Sequence, residues 1–306
     1  MVDLSVVICT VNRPDLIAGA VESVLRGTFE DIELLVIDQS PGPATRDALH
    51  PLTGDARLRY VHSDRVGLSA AYNTGIRASA GPVIAFTDDD CIAPTDWAVN
   101  IMGAFADFPS AELLYGQVAA PAGDGIPPGI IPTLEFSERR LLSRAEGFQV
   151  FGMGANFAAR RRLLDALGGF DEVLGGGGPL RSSQDFDLQY RAYRHGAVCL
   201  LEPNVSVLHY GLREHDRWPQ TLSAYGEGDG GFYMKHIRCG DLLATRLFAG
   251  RLAHETARAA VKPLLRRPHS AAYLRGMVSG ARHSFRHGVN RQTRTYELAG
   301  ATGGRS

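Results

Sequence analysis

Lysine is nearly missing from this chain: Lys235 and Lys262 are its only two in 306 residues, and arginine carries the remaining fixed positive charge. With alanine and glycine so frequent, that scarcity reads as codon bias rather than function. Cysteine is sparse as well. Cys9, Cys91, Cys199 and Cys239 lie far apart, and no two have the short spacing of a zinc knuckle or redox pair, so reduced thiols are expected. No run of 18 apolar residues occurs, which excludes a spanning helix. Met1 to Ser5 has no basic segment ahead of its short apolar run, so no secretion signal is expected. The expectation is a cytoplasmic protein, with attachment to the inner face of a membrane left open.

Net charge is close to absent too, at −1, but the balance conceals two unlike regions. Up to Tyr210 there are 16 basic and 26 acidic residues; from Gly211 onward there are 16 and 7. A positive excess confined to the last third does not describe a bulk nucleic-acid binder, and no nucleic-acid partner is expected. A composition 44% hydrophobic and 21% charged excludes disorder, coiled coil and collagen-like repeats. The length suits one large domain with an appendage, or two domains.

The first 120 residues alternate short apolar runs with helical patterns. Strands are expected at Leu4 to Thr10, Glu33 to Asp38, Leu58 to His62 and Pro82 to Thr87. Helices are expected between them, near Arg13 to Leu25, Ala44 to Leu52 and Leu68 to Ala80. Helical crossovers of this length imply parallel pairing, so the fold class is α/β with a doubly wound, mostly parallel sheet flanked by helices. Ligands bind beyond the carboxyl ends of such strands. Polar residues cluster at those ends: Thr10 to Arg13, Asp38 to Ser40, His62 to Arg65, and Asp88-Asp89-Asp90.

Three consecutive carboxylates at a strand end repel one another unless a cation or hydrogen-bonded ligand lies among them. In extended chain alternate residues share a side, which would aim Asp88 and Asp90 into one site. A solvated acidic turn is the alternative, and the predicted ligand crevice favours a cation of the Mg²⁺ or Mn²⁺ class, which oxygen ligands suit.

With these residues the chain resembles a family 2 glycosyltransferase of the GT-A fold. The matching segments run in the family's order from Leu4 to Tyr210: Val6 to Arg13, Leu35 to Asp38, Gly67 to Ile76, the Asp-X-Asp at Asp88 to Asp90, Gly154 to Phe157, Gln184 to Leu188 with Arg191 and Gly196, then Pro203 and His209. The resemblance implies an inverting hexosyl- or deoxyhexosyltransferase using a nucleotide-diphospho-sugar donor, a hydroxyl acceptor and Mn²⁺ or Mg²⁺, as in bacterial glycan, glycolipid or natural-product glycoside synthesis. It places Thr10, Asn12, Arg13, Asp38, Arg65, Asp88 and Asp89 in the donor pocket, with Asp38 receiving a hydrogen bond from the base. Asp90 and His209 would hold the metal, and Asp185 would be the catalytic base. Asn156, Gln184 and Trp218 are expected on the acceptor side. A lipid-linked glycan or a small molecule would serve as acceptor.

Two positions depart from the family pattern. The acidic pair usual on the second strand is Asp38-Gln39 here, which leaves the nucleobase open, and the usual Glu-Asp is Gln184-Asp185, which removes a charge beside the base. Two other functions are weighed. A nucleotidyltransferase acting on sugar phosphates would need a basic, glycine-rich loop after the first strand, and Thr10 to Pro14 is not one. A non-catalytic nucleotide-sugar-binding module would have no use for Asp185.

The expected organisation is a catalytic domain over residues 1–210, divided at 120 into nucleotide and acceptor halves. A glycine- and aromatic-rich linker or lid follows at 211–240, then a basic helical region at 241–306 with a disordered last dozen. Pro121 to Pro132 and Gly175 to Pro179 read as loops, the second mobile and on the acceptor side. The terminal helices, expected at Asp241 to Lys262 and His269 to Arg286 with Pro263 and Pro268 between, mix arginine with an apolar stripe. Packing on their own domain or in a homodimer is the first reading, and a peripheral membrane contact the second.

Overall fold

The computed structural model describes residues 2–122, 129–149, 151–261 and 270–298. Its chain divides into two compact units, one of residues 2–66, 70–169 and 188–213, the other of 67–69, 170–187 and 214–298. The expected domain of residues 1–210 is therefore not one contiguous block: residues 170–187 cluster with the C-terminal region.

The first unit is built on β1 (Leu4–Thr10), β2 (Ile32–Asp38), β3 (Leu58–His62) and β4 (Val83–Asp88), alternating with α1 (Pro14–Leu25), α2 (Ala44–Leu49) and α3 (Leu68–Ala78), whose first residues belong to the other unit. All four strands pair in parallel, in the order β3-β2-β1-β4. β1 and β2 are buried along their whole length, which is why they read as continuous apolar runs. Period-two alternation divides β1 between two layers. Leu4, Val6 and Ile8 pack with Ile17 and Val21 of α1 and with Trp97 and Ile101 of α4 (Trp97–Asp107). Val7 faces the other way, against α3, where a β-carbon at Gly75 would crowd its methyl groups.

Beyond β4 the sheet becomes mixed. It continues through β8 (Asn156–Arg160), β6 (Ala111–Ala119), β9 (Val198–His209) and the two-residue β5 (Cys91–Ile92), with β7 (Arg140–Leu142) on β9. β8 is antiparallel to both β4 and β6. Among the described residues no α-helix lies between β6 and β8, unlike the helical crossovers that go with parallel pairing in the earlier repeats. Phe86 of β4 and Phe157 of β8 stack at 4.5 Å, and Tyr72 and Tyr115 close around them. Part of the Pro121 to Pro132 stretch, residues 123–128, lies outside the described residues.

Helix α5 (Arg161–Leu167) follows β8, and α6 (Gln184–His195) begins in the second unit. Most of that unit after residue 214 is helical. Most of the stretch expected as a linker or lid, 211–240, is the helix α7 (Trp218–Arg238), followed by α8 (Leu242–Val261) and α9 (Ser270–His283). Glycines inside a helix ordinarily cost about 1 kcal/mol each relative to alanine, so the sequence argued against α7. The structure uses them for close approach. A β-carbon at Gly226 or Gly230 would collide with the Tyr273 or Met277 carbonyl of α9, and one at Gly276 or Gly280 with the Ser223 or Glu227 carbonyl of α7. The glycines are spaced four apart on each helix, so each backbone lies in the other's groove.

Residues 295–298, the described part of the last dozen, differ from the expected disorder. β10 (Val289–Asn290) and β11 (Thr295–Tyr296) form an antiparallel hairpin, and Tyr296 is buried. Residues 299–306 lie outside the described residues, as do Lys262, Pro263 and Pro268. The Gly175 to Pro179 turn is held by hydrogen bonds from Gly175 N to Leu180 O and from Leu68 N to Gly176 O.

Candidate active site

The turn between β1 and α1 is set by three residues. Asn12 takes φ +55°, a left-handed conformation that asparagine tolerates, and Pro14 starts α1 with its φ already fixed. Between them Arg13 is left to reach across the carboxyl ends of the strands. Asn12 N donates to Ser40 Oγ at 2.8 Å, and Ser40 N donates to Asp38 Oδ1 at 2.8 Å. Asp38 Oδ2 accepts from the Tyr60 hydroxyl at 2.7 Å, while burial and that carboxylate push the Tyr60 phenol up to about 12. Asp38 is fully buried and braces the β1–α1 turn through Ser40. The resemblance gives it a hydrogen bond from the base; here both its oxygens have protein partners.

β4 stops at Asp88 and a turn follows, so the alternation expected of Asp88 and Asp90 gives way to a different pairing. Asp89 and Asp90 share Arg13: its guanidinium lies 2.5 Å from Asp89 Oδ1 and 2.9 Å from Asp90 Oδ2. Thr10 Oγ1, at the end of β1, donates to Asp89 Oδ2 at 2.6 Å. The Tyr72 hydroxyl lies 3.4 Å from Asp88 Oδ1. Burial holds Asp89 above the usual carboxylate range despite the Thr10 and Arg13 bonds. Burial pushes Asp90 the same way, but His209 and Arg13 outweigh it and hold Asp90 below that range.

His209, the last residue of β9, is placed by the pairing of Cys91 with His209 and by the bond from Tyr210 N to Asp90 O. Its Nδ1 lies 2.9 Å from the Pro132 carbonyl, which requires the proton there and turns Nε2 toward Asp90 Oδ1 at 3.3 Å. Burial would lower the imidazole pKa, and the adjacent Asp90 raises it further than burial lowers it. A β-carbon at Gly211 would collide with Nε2 and stand 2.7 Å from Asp90 Oδ2, so glycine there leaves the approach to both groups open.

These groups fit a divalent cation. Asp90 Oδ1 is buried without a hydrogen-bond partner, and the ligand atoms of Asp90, Cys91 and His209 all lie within 4.8 Å of one another. Burial drives the Cys91 thiol far up, which leaves it neutral and a poor ligand. A carboxylate with an imidazole is a donor set for Mn²⁺ or Mg²⁺ more than for a soft metal.

The remaining expected residues are dispersed. Arg65 is exposed and its carbonyl accepts from Gln39 Nε2. Asn156 is fully buried: Trp97 Nε1 donates to its Oδ1 at 3.0 Å, and its Nδ2 donates to the Gln117 and Val205 carbonyls. That amide joins β8, β6, β9 and α4 and has no surface on which an acceptor could touch it.

Asp185 and Gln184 open α6 in the second unit, where Asp185 Oδ1 accepts from Phe186 N at 2.9 Å. Ser183, just before them, has φ +70° and donates to Asp229 Oδ1 of α7 at 2.6 Å. Just after them, Asp187 lies 2.6 Å from Lys235 Nζ and 2.9 Å from His236 Nε2. Lys235 also meets Asp171 at 2.5 Å, and all three charged side chains are fully buried. Trp218 is half-buried at the start of α7, edge-on to Tyr225.

A family model described as "Glycosyl transferase family 2" matches residues 5–168, more than half of the chain. The chain belongs to glycosyl transferase family 2. The validoxylamine A glucosyltransferase of Streptomyces hygroscopicus subsp. jinggangensis (strain 5008) is 26% identical over 222 residues, 63% of this chain and 52% of that one. The succinoglycan biosynthesis protein ExoO of Rhizobium meliloti (strain 1021) is 30% identical over 227 residues, 69% of this chain and 61% of that one. The chain thus spans about half the length of the curated relatives it matches. Among solved structures, the mannosyltransferase PcManGT from Pyrobaculum calidifontis, in complex with GDP-Man and Mn²⁺, superposes with a TM-score of 0.60 at 18% identity, covering 90% of this chain and 86% of that one. S. aureus TarS 1-349 in complex with UDP-GlcNAc gives 0.52 at 16%, covering 74% and 66%. These structures share the GT-A fold with this family 2 member.

Sequence reasoning about a family 2 chain missed Gly211, Ser40 and Tyr60. Gly211 and Ser40 each stand two residues beyond a motif residue, His209 and Asp38, but the contacts that give them and Tyr60 their roles reach across the chain to Asp90, Asn12 and Asp38.

Proposed function

We propose that this chain is an inverting glycosyltransferase that uses a divalent cation and a nucleotide-diphospho-sugar donor. The observation that carries the reading is the buried, unbonded Asp90 Oδ1 facing His209 Nε2 beside Gly211, at the carboxyl ends of β1 and β4. Support for the donor class comes from two GT-A neighbours described with GDP-Man and with UDP-GlcNAc. Asp90 and His209 would hold the cation, which when bound supplies positive charge to the departing diphosphate and removes the need for a general acid.

The chain's own groups supply the rest. Arg13, anchored on Asp89 and Asp90, presents a cation at the strand ends where phosphate oxygens are recognised. Asp185 takes the proton of the acceptor hydroxyl as that oxygen attacks the anomeric carbon from the face opposite the leaving group, which inverts the centre. With Gln184 in place of an acid, and Asp187 of the same turn buried against Lys235, the acceptor proton falls to Asp185.

Thermal melting with a panel of nucleotide sugars, with and without Mn²⁺, tests the reading. Stabilisation should require both partners and should be lost in Asp90→Asn. Stabilisation by a nucleotide sugar that ignores Mn²⁺, or that survives Asp90→Asn, would sink it.

A further inference from the structure

One face of α9 packs against α7 through Gly276 and Gly280. The opposite face is exposed and carries Arg275, Val278 and Arg282, and the turn after the helix adds Arg286; together they line an open groove of about 730 Å³. Among the described residues no carboxylate pairs with these three arginines. The groove's own carboxylate, Glu227, is held by Arg181 at 2.7 Å. α8 differs, because its Arg251 and Arg258 both reach Glu255. Exposed apolar groups accompany the unpaired charges, with Val278 39% and Phe285 65% accessible.

We propose that this face of α9 docks on an anionic phospholipid surface. Arg275 and Arg282 alone lie roughly 10 Å apart along the helix at 1.5 Å per residue, and Arg286 extends the row past its end. That is too wide for one phosphate group and suits several headgroups side by side. Isolated guanidinium groups favour phosphate oxygens, and an adjacent exposed phenylalanine and valine favour the acyl boundary beneath them. The excess positive charge after Gly211 has the sign such a surface attracts. No helix among the described residues is long and apolar enough to cross a membrane, so the contact is peripheral. The inference does not use the donor, the cation or Asp185, and it stands or falls apart from the reading of sugar transfer.

Flotation of the full chain with phosphatidylcholine vesicles, with and without one third phosphatidylglycerol, tests it. The protein should partition onto the anionic vesicles only. The triple variant Arg275→Gln, Arg282→Gln, Arg286→Gln should bind them about 100-fold more weakly, at roughly fivefold per arginine, with an unchanged melting temperature. Phe285→Ser should also lower the partition, and inorganic pyrophosphate at millimolar level should not displace the protein. Equal partition on both vesicle types would overturn the proposal, as would an unaffected triple variant. Full displacement by pyrophosphate would assign a discrete phosphate site instead, and an unchanged Phe285→Ser would leave attraction to any polyanion.

Discussion

The two units handle charge in opposite ways. In the first, charged groups converge on one another: Arg13 serves two carboxylates, His209 faces Asp90, and Asp38 is satisfied by Tyr60 and Ser40. In the second, charge is segregated. Lys235, Asp171 and Asp187 are sealed in the interior, while Arg275, Arg282 and Arg286 face outward. The first arrangement suits the charged donor and cation proposed for it. The second uses a buried ion group to fix an interior and leaves the exterior cationic. A net charge of −1 for the whole chain describes neither.

The largest expected effect separates chemistry from scaffold. Asp185→Asn should lower kcat by about 10²–10⁴, the usual worth of a general base, while the calorimetric affinity for donor and Mn²⁺ stays near wild type. Equal losses in turnover and donor affinity would place Asp185 in the scaffold with Asp187. The buried ion group comes next. Lys235→Met leaves Asp171 and Asp187 without their cation and should cost about 3–5 kcal/mol in urea unfolding. Lys235→Arg should restore little, because a branched guanidinium has no room where a compact ammonium lies 2.5 and 2.6 Å from two buried carboxylates. A small cost for Lys235→Met would mean that the buried group contributes little beyond packing, and the contrast between the units would lose one side.

Lys235 also shows where sequence reasoning stops. It is one of two lysines in an arginine-rich chain, and composition alone suggests codon bias. Its partners are 48 and 64 residues away along the chain, beyond the reach of any periodicity. The alternating first half was legible because each strand and helix announces itself locally: β1 and β3 have the bounds, Leu4 to Thr10 and Leu58 to His62, that the sequence pattern predicts. The strand-end polar clusters were legible for the same reason. The pairing within them was not, because the turn after Asp88 exchanges the expected partner of Asp90 for Asp89. Helix α7 was hidden by its glycines, which local propensity counts as breakers and which the α9 contact requires. Asn156 sits in a motif and still proved to be a fully buried brace, since motif order does not reveal which way a side chain points.

Smaller effects sharpen the description of the first unit. Gly211→Ala places a methyl group against His209 Nε2 and Asp90 and should cost about 1–3 kcal/mol from overpacking. The variant should remain folded yet lose most of the Mn²⁺-dependent shift in melting temperature. A retained shift would move the cation away from this pair. Asp90→Asn and Gly211→Ala should therefore agree on the cation while differing in stability.

The smallest effect is a pH dependence in the same sheet. Glu33 is buried on β2; Ser5 Oγ and Ala80 N donate to its Oε1 at 2.7 and 2.5 Å, and Arg59 donates to its Oε2 at 2.5 Å. Burial would raise its carboxyl, but these three donors outweigh burial and hold it below the usual range. A carboxyl depressed in the folded state adds stability that is complete above its unfolded pKa, near 4.5, and is lost as pH falls through the lower folded value. Glu33→Gln should thus be less stable than wild type at pH 7, with the gap in melting temperature narrowing below pH 4.5. Across that range Lys235→Met should show no comparable narrowing traceable to Glu33, since that carboxylate belongs to the first unit. A gap that stays constant down to pH 3 would mean that the donors around Glu33 contribute geometry rather than charge-assisted stability.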